Sequence, residues 1–230
     1  MTSIRIPARF NGPPDSANGG VVAGLLAALV DTDGPVQVSL RRPPPLETDL
    51  RIESVESVSG QLRACDGSDL IAVAEPAAGD IAPVPPVDYR LAVAAASRYE
   101  GFTEHPFPTC VGCGVQRPDG LGCHAGPVDP GDPTRVATPF VVREDLPREL
   151  WLSWAALDCA GGWAIGLAGR RAVLGRMTAL ITEVPPVGER CVVVAQGDGW
   201  DGRKAFSRST GYRADGRVFG VAKATWIELR

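Results

Sequence analysis

The chain has 230 residues, 44% of them hydrophobic, and a formal net charge of -4, enough to bury a substantial core in one or two units. A mild acidic balance without any Lys/Arg-rich block gives no general attraction to nucleic acid or to an anionic membrane surface. No apolar run reaches the roughly 18 residues of a membrane span, and the opening segment lacks the apolar core of a secretion signal. Cys65, Cys110, Cys113, Cys123, Cys159 and Cys191 are scattered rather than set as a compact disulfide framework, so the expectation is a globular, cytoplasmic protein with reduced thiols.

In chain order, Asn18 is a good N-cap for an apolar helix that starts at Gly19 and runs to Val30, where "DTDG" stops it. Strands are expected over residues 36–40, 50–58, 61–64 and 70–74, the last two joined by an Asp-Gly turn. The Pro-rich stretch "EPAAGDIAPVPPVDYR" reads as a crossing segment, and "RLAVAAASRYE" as a short helix. After a cysteine-containing segment come a strand over residues 135–142, a helix near Leu150, and strands over residues 172–182, 190–196, 204–212 and 217–229. "DGWDG" and "ADG" supply the turns between the last three strands.

The two helices both carry a Gly-Gly pair, although each helical glycine costs about 1 kcal/mol relative to alanine. Gly19 and Gly161, Pro44 and Pro186, and Gly60 and Gly202 stand at one constant separation. This points to an internal duplication of a helix followed by an antiparallel meander. The expected organisation is α+β, with a first unit over residues 1–95, a linker and Cys-x-x-Cys segment over residues 96–133, and a second unit over residues 134–230.

Cys110, Cys113, Cys123 and either His105 or His124 invite a zinc reading, since Cys-x-x-Cys is the common half of such sites. The other half is poor, because Cys123 and His124 are adjacent and cannot easily reach one tetrahedral ion. The preferred reading is a tight turn with buried thiols and no metal. Asp158, in an Ala/Leu/Trp context, reads either as a first-turn acid that favours the helix dipole or caps the helix, or as a catalytic acid.

"FNGPPDSANGGVVAGLLAAL", "VQVSLRRPPPLETDLRIESV", "WAALDCAGGWA" and "HPFPTCVGCGVQRPDGLGC" together resemble the hotdog-fold acyl-CoA thioesterases in their form with two units per chain. The resemblance implies a double hotdog, two helix-plus-sheet units sharing one continuous sheet. It implies an acyl-CoA or acyl-carrier thioester substrate, with an aspartate, a Thr/Ser and a Gln activating water; no nucleotide, flavin or haem motif appears, so no cofactor is expected. Asp158 matches the first and Thr178 is the candidate second, but Lys223 stands where the Gln is expected. Asn18, flanking the first helix, is the third catalytic candidate. Ala27 and Ala28 occupy the region where single-unit relatives carry a carboxylate, so the first unit is expected to be a non-catalytic partner completing a binding tunnel. Gly19, Gly20, Gly161 and Gly162 are either helix-start amides for a developing oxyanion or sites of close packing. Arg203 and Lys204, with Arg170 and Arg171, are candidates for coenzyme A phosphates, and Trp163 and Met177 for the acyl tunnel. The alternative function is a non-catalytic protein that binds acyl-CoA or a lipid-like ligand; a hydratase, needing an Asp/His pair near the helix, ranks last. A two-unit chain is already a pseudo-dimer, so monomer and homodimer both stay open.

Overall fold

The computed structural model describes residues 2–230. Its strands join in one antiparallel sheet: β1 (Ser3–Arg5), β2 (Val36–Leu40), β3 (Asp49–Ser54), β4 (Leu62–Asp66), β5 (Asp69–Pro76), β6 (Gly126–Asp129), β7 (Asp132–Phe140), β8 (Ala172–Ile181), β9 (Cys191–Asp201), β10 (Lys204–Tyr212) and β11 (Val218–Glu228). The order across the sheet is β1-β3-β4-β5-β2-β8-β11-β10-β9-β7-β6. Each half therefore repeats the same meander, and the halves meet where β2 pairs with β8, Val38 opposite Met177. Helices α1 (Gly19–Ala27) and α3 (Trp151–Ala164) bury themselves on one face of this sheet, where Val22, Leu26, Leu152 and Leu157 pack with Met177 and Phe219. The short α2 (Tyr89–Ala96) covers the opposite face of the second half, with Ala92 and Ala95 against Ala137, Val192 and Val194. No helix among the described residues is long and apolar enough to cross a membrane.

Local chemistry explains most of the elements and the departures from expectation. The Asn18 carboxamide oxygen accepts from the Val21 N–H at 2.9 Å and starts α1. The helix ends at Ala27, short of Val30. Strand β3 stops at Ser54 because residues 55–61 close a turn in which Val55 N–H donates to the Gln61 carbonyl and Gly60 takes φ +73°. Only the end of "DGWDG" forms the turn: β9 runs on to Asp201 with a bulge at Asp198, and the reversal falls at Gly202, φ +56°. Strands β1 and β6, each of four residues or fewer, carry too little pattern to be read in advance. Because β6 and the start of β7 belong to the second half of the sheet, that half begins within the segment expected to be linker.

The glycine pairs do not occupy equivalent places. Gly19 and Gly20 open α1, whereas Gly161 and Gly162 lie near the end of α3, so their regular separation does not superpose the two helices. Their work differs accordingly. A Cβ on Gly20 would stand 2.7 Å from the Ala155 Cα and 2.6 Å from the Asp158 Cβ, and one on Gly24 would run into the Trp151 Cα. As α1 advances from residue 20 to 24 its contacts on α3 retreat toward Trp151, so the helices are antiparallel and touch backbone to backbone along this stripe. Gly161 and Gly162 instead admit Ser207 and Trp226 from the sheet.

Gly24→Ala is expected to lower the midpoint of urea unfolding. Alanine returns about 1 kcal/mol of helix propensity, but its methyl meets backbone that cannot move aside, and overpacking costs roughly 1–3 kcal/mol. An unchanged or higher midpoint would show that the helices have room to part.

Candidate functional site

The antiparallel helix pair places the first turn of α1 beside the middle of α3. Asp158 lies about two turns into α3, not at its start as the sequence reading supposed, so it caps the other helix rather than its own. Its Oδ2 accepts from the Gly20 N–H at 2.9 Å, and its Oδ1, fully buried, has no hydrogen-bond partner among the described residues. Of the first three amides of α1, those of Gly20 and Val21 are taken by Asp158 and Asn18, while that of Gly19 has no partner among the described residues. Burial pushes the Asp158 carboxyl up to about 7, against the pull of the Gly20 N–H.

Asp158 and Gly19 face a cavity of about 500 Å³ lined by the start of α1, the middle of α3, the end of β2, the start of β8 and the end of β11. Leu40, Leu167, Leu174, Trp226 and Ile227 make much of its wall apolar. Arg41, Arg42 and Arg171 are exposed and also line it, so they stand where it opens to solvent. Arg42 is paired with Asp69 at 3.1 Å, and Arg171 lies over the Phe107 ring.

The loop carrying Cys110 and Cys113 folds onto α3 beneath this cavity. The sulfurs of Cys110, Cys113 and Cys159 lie within 4.8 Å of one another, and all six cysteines of the chain are free. The Asn18 side-chain amide points at the Cys110 and Cys159 sulfurs, at 3.6 and 3.8 Å. The neighbouring Cys113 and Cys159 thiols hold Cys110 well below the ordinary thiol range, while Cys113 and Cys159 are held above it. His105 borders the cavity, but both ring nitrogens are engaged: Nδ1 accepts from the Phe107 N–H at 3.0 Å, leaving Nε2–H to donate to the Cys113 carbonyl at 3.1 Å. It is therefore not a free base, and burial lowers its pKa further.

Asn18, Gly19, Asp158 and Gly162 are thus brought to one cavity, with Gly20 directly behind Asp158. Thr178 is not. Strand alternation puts it on the face opposite Met177 and Ala179, between Gln37 of β2 and Lys223 of β11. Lys223 shares that outer face and does not stand in the place of a missing active-site Gln. Gly161 packs against Ser207 and does not line the cavity. Arg203 donates to the Glu228 carbonyl at 2.7 and 3.1 Å, and neither it nor the adjacent Lys204 lines the cavity. Trp163 lies in an aromatic cluster with Tyr99 and His105, and Met177 is in the core. The sequence reading missed Arg41, Arg42 and Trp226. Their places beside the cavity depend on long-range strand pairing, for which the chain carries no local signal.

No protein-family model matches the sequence, and comparison with curated proteins finds no relative. Solved structures do match. A conserved Alicyclobacillus acidocaldarius protein of unknown function with a hot dog fold is 12% identical, with 99% of this chain and 92% of that one covered and a TM-score of 0.63. The tesB protein of Mycobacterium avium subsp. paratuberculosis is 14% identical over 98% and 91% of the chains, TM-score 0.61. An acyl-CoA thioesterase II from Mycobacterium marinum is 12% identical over 93% and 90%, TM-score 0.55. The fold is a double hotdog, two helix-and-sheet units sharing a continuous sheet.

The raised pKa of Asp158 sets a pH dependence of stability. The fold favours the protonated carboxyl, so the contribution is fully present below the ordinary value of 3.8 and is lost as pH rises through about 7. Asp158→Asn keeps an oxygen to accept from Gly20 and cannot ionise. Its unfolding free energy should change less with pH over this window than that of wild type, as read by denaturant titrations; parallel curves would contradict the assigned environment.

Proposed function

We propose that the protein is an acyl-CoA thioesterase-like hydrolase in which Asp158 activates water. The observation that carries this reading is the pairing of a buried, half-satisfied carboxylate with an unpartnered helix-start amide on one cavity wall. In this mechanism Asp158 Oδ1 takes a proton from water as the water oxygen bonds to the thioester carbonyl carbon. The carbonyl oxygen, gaining negative charge, is met by the Gly19 N–H at the positive end of α1. Collapse breaks the C–S bond, and Asp158 returns the proton to the departing thiolate. Arg41 and Arg171 at the opening suit the phosphates of coenzyme A, and the apolar wall suits an acyl chain. The likeness in fold to an acyl-CoA thioesterase II supports the substrate class.

A second reading is a binding protein for acyl-CoA or a lipid-like ligand. It is favoured by the placement of Thr178 and Lys223 on the sheet face away from the helices, which leaves Asp158 without the Thr and Gln helpers that the resemblance implies.

Thiol release from short, medium, long and aromatic acyl-CoAs separates the two. For a hydrolase, Asp158→Asn should lose on the order of a hundredfold or more in kcat/KM while remaining folded. Wild-type activity should rise with pH through about 7 as the base ionises, a limb the variant lacks. Absence of thiol release, with a raised melting temperature in the presence of an acyl-CoA, would identify the binder.

A further inference from the structure

Neither the helix dipole nor the hydrolytic reading uses the three sulfurs beneath the cavity. We propose that Cys110, Cys113 and Cys159 are the protein ligands of a zinc site, with the fourth coordination position taken by water or by a ligand from the cavity. Their sulfurs lie within 4.8 Å of one another. Zinc–sulfur bonds of about 2.3 Å in a tetrahedron hold sulfurs about 3.8 Å apart, so closure on an ion needs small rotations only. The ligand set differs from the one the sequence suggested: Cys123 stays outside the group, and Cys159 enters from α3 because the loop folds onto that helix. The ion would therefore tie the loop to the helix that carries Asp158.

The surroundings are shaped to the sulfurs. A Cβ on Gly112 would fall on the Cys159 sulfur, and one on Gly114 would stand 2.6 Å from the Cys110 backbone nitrogen, so the Val-Gly-Cys-Gly turn fits only without those side chains. Asn18 aims its amide at two of the three sulfurs, the kind of outer contact that orients thiolate ligands. The Trp163 indole N–H, buried without a hydrogen-bond partner among the described residues, lies beside Cys113. Three thiolates select a soft or borderline ion over magnesium or calcium. No fourth protein ligand joins the close group: His105, His124 and Asp158 all lie outside it, and both His105 nitrogens are bonded to backbone. Because all three cysteines line the cavity, the fourth place falls on that side.

The test is independent of hydrolysis. The full chain, reduced and stripped with a chelator, is titrated with Co²⁺ without oxygen, and then with Zn²⁺. A tetrahedral thiolate site gives a near-ultraviolet sulfur-to-cobalt charge-transfer band and strong visible absorption, saturating at one ion per chain and abolished by zinc. Cys123→Ser should retain the bands; Cys110→Ser and Cys159→Ala should lose them while circular dichroism shows them folded. Metal analysis of wild type purified without chelator should find zinc. The absence of a charge-transfer band in folded wild type, or its persistence in folded Cys159→Ala, would overturn the proposal. Should Cys159→Ala not fold, alkylation supplies the discriminating measurement: zinc should protect Cys110, Cys113 and Cys159 together in wild type, and reactivity unaffected by zinc would overturn it.

Discussion

A peptide N–H at the start of one helix donates to a carboxylate in the middle of another, and the geometry of the site depends on that single contact. It requires the axes of α1 and α3 to come close enough for Gly20 to face Asp158 without a Cβ between them. Gly24 extends the same close approach one turn further along. Each glycine gives up helix propensity, and the packing of two nearly all-apolar helices inside the sheet offsets that loss. Fold and site are thus coupled: the missing methyl groups that let the halves pack are also what let the carboxylate reach the amide.

The contact has an electrical consequence. One oxygen of Asp158 accepts a peptide N–H and the other has no partner among the described residues, and burial disfavours the charged form, so the carboxyl rises to about 7. A carboxyl in that range exchanges protons near neutral pH, whereas an exposed one is always ionised there. The sulfurs next to it add to this, since negative charge on Cys110 also raises Asp158. A cation bound among the three sulfurs would act on the same carboxyl in the opposite direction.

The architecture was legible because its signals are local and repeated: Asn18 before an apolar run, Asp-Gly turns between alternating strands, and the same order twice. The close agreement in β2 and β10 reflects the Asp-Gly pairs just before them, Asp33-Gly34 and Asp201-Gly202. Asp158 was legible as an acid in an apolar helix, but not its partner, because a contact across helices leaves no mark in spacing. Thr178 shows the converse. Its residue type and position after the helix fitted the resemblance, yet the period of two along β8, set by Met177 and Ala179 in the core, turns it to the other face. The Gly161 and Gly162 pair misled similarly: a regular separation marked similar composition rather than equivalent position. Cys159 stood in plain view beside Asp158, and only the folding of the loop onto α3 makes it a neighbour of Cys110 and Cys113.

Burial between the helices tunes the Asp158 carboxyl toward neutrality. Carbon-13 NMR of aspartate-labelled protein, titrated with pH and assigned by comparison with Asp158→Asn, measures this directly. A carboxyl resonance that shifts with a midpoint near 7 and is missing from the variant is the predicted result. A midpoint near the ordinary value of 3.8 would contradict it and remove the basis for assigning Asp158 as the base.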